Sequence, residues 1–180
     1  MTTITEPLSA RQKSTTILLK GIAWETYASL REELDRSRQH MYLTYDRGAL
    51  EIMAPSPFHE KYKGLIGRFL GIISLELNIP IASFGSTTFK REDIERGLEP
   101  DECYYVQHEP LMGVKSEIDL IKDPPPDLAV EMDYSPHAID RESIYAALGV
   151  AEIWQYDGER LAGLARGDDA RYRPIESSIA

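Results

Sequence analysis

Cysteine is almost missing: Cys103 alone stands in 180 residues, so neither an internal disulfide nor a four-cysteine zinc site can be built. Long apolar runs are missing too. The most apolar stretch, Leu65 to Leu77, is interrupted by Gly67, Arg68, Gly71 and Glu76, which excludes a membrane span there. Met1 to Lys13 lacks the apolar core of a signal peptide, and a reducing cytoplasm is the expected compartment. Positive charge is scarce, with 20 Lys and Arg against 30 Asp and Glu and a net charge of −10. Coating DNA without specificity requires neutralising phosphates, so the charge argues against that function class. A nuclease is not, because catalytic carboxylates themselves add negative charge. Its local basic surface would come from Arg36, Arg38, Lys61, Lys63, Arg68, Lys90, Arg91 and Arg96. No Gly-rich loop ending in lysine exists, which removes P-loop nucleotide hydrolysis. The histidines His40, His59, His108 and His137 show no metal-ligand spacing. A zinc-protease helix starting at His59-Glu60 would need a second histidine where Lys63 stands.

What remains is an ordinary globular composition, 42% apolar and 28% charged, of a size for one domain. Residues 1–13 read as a loose polar arm and 14–180 as the domain, opening on a first strand from Ser14 to Lys20. Trp24, Tyr27, Leu30 and Leu34 fall at helical spacing and predict a helix from Trp24 to Arg38. Met41 to Tyr45 and Ala49 to Met53 flank Asp46-Arg47-Gly48 as a hairpin. Ser56-Pro57, a hydroxyl cap followed by proline, starts a helix that runs to about Leu77 before Asn78 and Pro80. Gly64, Gly67 and Gly71 along it suggest close packing against a neighbour. Short strands follow at Ile81 to Phe84 and Thr87 to Lys90, then a charged loop to Gly97. Gln107 to Asp123 is irregular, and Ser135-Pro136 opens a helix from His137 to Leu148. Ala151 to Tyr156, Arg160 to Ala165 and Arg171 to Ile175 are the last strands. The order implies an α/β fold with a mixed central sheet flanked by helices.

Two Pro-Asp pairs carry the chemistry. Pro100-Asp101 opens one strand and Pro126-Asp127 another, each delivering a carboxylate from a turn. In the second strand the period of two sets Asp127, Ala129, Glu131 and Asp133 against an apolar face of Leu128, Val130 and Met132. Carboxylates in a row suit a hard divalent cation, and Asp101 with Glu131 is the leading pair for Mg2+ or Mn2+. Glu60 is accounted for by the dipole of its helix, and Cys103 by a small buried site. Tyr104, Tyr105, Tyr145, Trp154 and Tyr156 read as core.

At these residues the chain resembles a restriction-endonuclease family of stand-alone, mostly uncharacterised bacterial proteins within the PD-(D/E)XK superfamily. The resemblance is carried by Ser56-Pro57-Phe58-His59-Glu60, Glu99-Pro100-Asp101, Pro126-Asp127-Leu128-Ala129-Val130-Glu131, and the run from Ile144 to Trp154 with its tyrosine, Gly149-Val150 and Glu152-x-Trp154. It spans about Trp24 to Ile175. It implies a restriction-endonuclease-like mixed sheet, Asp101 and Glu131 as metal ligands, Glu60 as an outer carboxylate, and hydrolysis of DNA by metal-activated water. The superfamily lysine two positions after Glu131 is absent, since Met132-Asp133 fills that place. In much of the family the lysine has moved to four residues before the tyrosine, and here that position is Arg141. Arginine can stabilise charge on a phosphorane but cannot serve as a base. Lys61, Lys63 and Lys90 are the available substitutes.

Two functions are therefore open: a Mg2+-dependent endonuclease acting as a homodimer, which suits cutting both strands of a duplex, or a catalytically silent relative that binds nucleic acid or a protein partner. A glycosidase using the paired carboxylates has no independent sign of a sugar cleft.

Overall fold

The N-terminal strand β1 (Thr15–Lys20) leads into helix α1 (Trp24–Ser37), and the hairpin β2 (Tyr42–Asp46) and β3 (Ala49–Ala54) follows. These positions belong to a computed structural model that describes residues 14–133 and 137–180. Helix α2 (Pro57–Leu77) starts where Ser56 accepts a hydrogen bond from the His59 backbone N–H at 3.2 Å, and it ends at Asn78 in the left-handed region. Then come β4 (Ala82–Ser83), β5 (Phe89–Arg91), a single 3-10 turn, β6 (Arg96–Leu98), β7 (Glu102–Tyr105), the one-turn helix α3 (Glu109–Met112) and β8 (Leu128–Met132). Helix α4 (Arg141–Leu148) and the strands β9 (Glu152–Tyr156), β10 (Leu161–Arg166) and β11 (Tyr172–Ile175) complete the chain.

The strands form two sheets. One is antiparallel, in the order β1-β3-β2-β6-β5; the other is mixed, in the order β11-β10-β9-β8-β7-β4, and its parallel pair is β8 with β9. The mixed sheet flanked by helices is the one the sequence implies. Pairing of the 96–98 strand with the hairpin, which extends the antiparallel sheet to β6 and β5, is a long-range contact with no local signal.

The helices divide the core into three parts. Helix α1 packs Trp24, Tyr27 and Leu34 on Leu43, Tyr45 and Leu50 of the antiparallel sheet. On the mixed sheet, Ile66 and Leu70 of α2 cover Leu128, Val130 and Met132, while Ile144, Tyr145 and Leu148 of α4 cover Cys103, Ala129 and Ile153. Strand β8 is thus buried on both faces. The carboxylate face expected along it is not a solvated one, because α4 lies over it.

Three local expectations change. Helix α4 begins at Arg141, where the Asp140 carboxylate accepts from the Ser143 backbone N–H at 3.2 Å, and residues 137–140 precede it without helical structure. The Ser135-Pro136 start lies outside the described residues. Asp127 does not join Glu131: its Oδ2 accepts from the backbone N–H groups of Val106 and His108 at 2.8 and 3.0 Å, tying the loop after β7. Of the three α2 glycines only Gly67 packs closely, since a Cβ there would stand 3.4 Å from the Tyr104 hydroxyl, whereas Gly64 and Gly71 face open space. Gly64→Ala and Gly71→Ala are each expected to stabilise the protein by about 0.5–1 kcal/mol, because alanine loses less backbone entropy in a helix. Denaturant midpoints check this, and a fall in either variant contradicts it.

Candidate active site between the two sheets

Strand β2 turns its residues alternately to the two faces of the antiparallel sheet. Leu43 and Tyr45 meet α1, so Tyr42 and Thr44 point the other way, together with Glu51, the cross-strand partner of Thr44. Asp101 and Glu131 stand in the mixed sheet. The register pairs Glu102 with Val130, and one step further Asp101 reaches the level of Glu131. There the ladder breaks. The Asp101 backbone N–H donates to the Val130 carbonyl at 3.1 Å, and the Met132 backbone N–H donates to Asp101 Oδ2 at 2.6 Å. This is what the turn at Pro100 accomplishes: it replaces a ladder hydrogen bond with one to a carboxylate.

Helix α4 presents Arg141 and Tyr145, one turn apart on one face, to the same oxygen of Glu131. Arg141 donates to Glu131 Oε1 through Nη2 at 2.5 Å and Nε at 3.1 Å, and the Tyr145 hydroxyl donates to it as well. The guanidinium is satisfied further by Thr44 Oγ1 at 2.6 Å and the Glu99 carbonyl at 2.7 Å. Glu99 is itself fixed by Arg31, whose Nη1 lies 2.6 Å from its Oε1. The four-residue spacing between Arg141 and Tyr145 is the helical repeat that lets both reach one carboxylate. Burial pushes the Glu131 carboxyl above its ordinary value, against the pull of Arg141, and the charge of Asp101 adds to the rise.

On the other side, α2 supplies His59, whose Nε2 lies 3.0 Å from Asp101 Oδ1 without the alignment of a regular hydrogen bond. Burial alone would depress the His59 pKa, but Asp101 and Glu60 outweigh it and raise it. Glu60 is half exposed, 3.4 Å from His59 Nδ1 and 4.0 Å from His40 Nε2. Glu51 is buried and holds the segment before α4, accepting from the Ala138 N–H at 2.6 Å and contacting His137 Nδ1 at 3.0 Å. Beside it a cavity of about 170 Å³ is lined by Glu131, Asp133, His137, Asp140, Arg141 and Glu142.

Of the residues expected from the sequence, Asp101, Glu131 and Arg141 come together and Glu60 stands at the edge. Thr44, Glu51, Glu99 and Tyr42 join them without local warning. His59 had one: as the residue that Ser56 caps, it sits at a fixed place in the first turn of α2, facing the core.

Two carboxylates suit a cation such as Mg2+, which keeps much of its water and takes one or two carboxylates from the protein. The hydrogen bonds from Arg141 and Tyr145 to Glu131 all end on its Oε1. Among the described residues no group of three or more His, Cys, Asp or Glu is arranged to hold a metal ion, so the donor set does not fit a closed zinc shell. No helix among them is long and apolar enough to cross a membrane.

No curated protein shows a match to the sequence. A family profile does, over residues 24–178, and the chain belongs to that family, Uma2, described as "Putative restriction endonuclease".

Proposed function

We propose that this Uma2 member hydrolyses DNA phosphodiesters with a Mg2+ or Mn2+ ion held by Asp101 and Glu131. The observation that carries the reading is two buried carboxylates at one level of the mixed sheet beside a buried guanidinium. A bound cation supplies Lewis-acid polarisation of the phosphoryl oxygen and a water of lowered pKa. Arg141 holds a fixed positive charge where phosphorane charge develops, and being permanently protonated it takes no proton. Tyr145 orients Glu131, His59 orients Asp101, and Glu60 stands ready as an outer carboxylate.

A homodimer suits cleavage of both strands, and Leu65, Phe69 and Ile72, exposed along α2, support a second copy there. The cytoplasm suits Cys103, whose thiol burial pushes up to about 12 and so keeps unreactive. The silent-relative reading has one observation in its favour: Arg141 already compensates Glu131 without any metal.

Metal binding separates the two. In a Mn2+ titration followed by paramagnetic resonance with a mixed-sequence duplex present, the wild type is expected to withdraw the free Mn2+ signal. Asp101→Asn should do so more than about tenfold more weakly. A wild type that leaves Mn2+ free contradicts the nuclease.

A further inference from the structure

Three of the eight cations that could form a local basic surface are spent on carboxylates. Arg36 pairs with Glu33 at 2.5 Å, Arg91 with Asp93 at 2.5 Å and Arg96 with Asp46 at 2.9 Å. Lys63 is placed differently. Its Nζ donates to the Tyr42 hydroxyl at 3.1 Å and to Ser86 Oγ at 3.2 Å, and it lies 5.8 Å from the Tyr42 ring centroid. Among the described residues no carboxylate stands within ion-pair distance of it; Glu102 acts on it only through its field. An ammonium has three donors, so two neutral hydroxyls fix its position and leave the third donor and the charge unspent.

The position is next to the candidate active site. Lys63 follows His59 by one turn on the buried face of α2, and His59 touches Asp101. The His59 and Tyr42 rings meet edge to face at 5.6 Å between centroids. Burial raises the Tyr42 pKa first, and the charges of Asp101, Glu60 and Glu131 raise it further, so this hydroxyl lies within the field of all three. Tyr42 and Thr44 share one face of β2, about 6–7 Å apart. Tyr42 holds Lys63 and Thr44 holds Arg141. One strand thus holds two cations through neighbouring hydroxyls, Lys63 from α2, one turn after the His59 that touches Asp101, and Arg141 from α4 against Glu131.

We propose that Lys63 is a second cationic contact for the nucleic-acid backbone, receiving a non-bridging phosphate oxygen at the Asp101 side of the site. The inference rests on the nuclease reading and adds to it the residue that reads the phosphate. Arg141 has its Nε, Nη1 and Nη2 donors engaged by Glu131, Thr44 and the Glu99 carbonyl, so it acts on a phosphate through its charge, whereas Lys63 keeps a donor for a direct contact. The contact is to the backbone, so it carries affinity and no base preference.

The test is the salt dependence of binding. A fluorescein-labelled duplex of mixed sequence and its single strand are titrated with wild type, Lys63→Met and Lys63→Arg in Ca2+, over a range of KCl. Lys63→Met is expected to bind about tenfold more weakly, the size of one lost charge-assisted contact. Its log K against log salt slope should be shallower by about 0.9 for the duplex and about 0.7 for the single strand. Lys63→Arg should restore the slope. A wild type that binds with a slope unchanged by Lys63→Met overturns the assignment and leaves the nuclease standing. A loss that Lys63→Arg does not recover at all is structural and also overturns it. A wild type that binds neither strand form overturns the nuclease reading and this one together.

Discussion

Replacing Arg141 with methionine is expected to lower the stability of the protein by about 3–5 kcal/mol at neutral pH, the cost of leaving a buried carboxylate without its partner. Glu131 and Arg141 are both buried, and the guanidinium joins Glu131, Thr44 and the Glu99 carbonyl across the two sheets. Methionine fills much of the volume but supplies neither the charge nor the donors. The loss should depend on pH in a defined direction. Burial raises the Glu131 pKa above its ordinary 4.5 even with Arg141 present, and removing the guanidinium raises it further. A carboxyl whose folded pKa is raised contributes most to stability below its unfolded pKa and loses that contribution as pH rises through the folded value. The deficit of Arg141→Met is therefore largest at pH 7 and shrinks as pH falls towards 4.5. The double variant Glu131→Gln/Arg141→Met, with both charges gone, should be more stable than Arg141→Met alone. Urea unfolding at two pH values measures all three chains. A loss below about 1 kcal/mol, the range of exposed pairs, would show that the pair is solvated.

Asp101→Asn is expected to reduce metal-dependent cleavage by a factor on the order of 10²–10³, as for loss of a single electrostatic stabiliser in an active site. The choice of residue matters. Asparagine keeps an oxygen for the Met132 N–H, which donates at 2.6 Å, so the fold should survive. Glu131→Gln is a poorer probe, since it strands the buried charge of Arg141, and lost activity there would mix chemistry with unfolding. Single-turnover rates at saturating protein, with the unfolding midpoint of each variant alongside, separate the two effects. Asp101→Asn cleaving at the wild-type rate would remove Asp101 from the chemistry.

The elements legible in the sequence are those with local causes. Ser56-Pro57 and Asn78 bound α2 because capping and left-handed termination are written in single residues. The Asp46-Arg47-Gly48 turn marked the β2–β3 hairpin in the same way. Asp101 and Glu131 were singled out through Pro-Asp turns and the alternation of a strand, and Arg141 only through the family resemblance, as the residue at the place of the moved lysine. The rest depends on contacts distant in sequence. Asp127 has the same Pro-Asp signature as Asp101 yet serves a loop, because whether such a carboxylate meets a cation or a backbone N–H is decided by what lies opposite. Thr44 reaches Arg141 across 97 positions of chain and Glu51 reaches Ala138 across 87, and no periodicity encodes such pairings. Helix α4 starts at Arg141 and not at His137 because Asp140 is the stronger signal, a carboxylate three residues before the Ser143 N–H that it caps.

The most direct measurement is the nicking of supercoiled plasmid by the wild-type chain in Mg2+, in Mn2+ and in chelator, with Asp101→Asn in parallel. Cleavage that requires metal and is lost in the variant is the predicted result. Intact plasmid at generous wild-type concentration in either metal would contradict the nuclease and leave a silent member of the family that binds through the same fold.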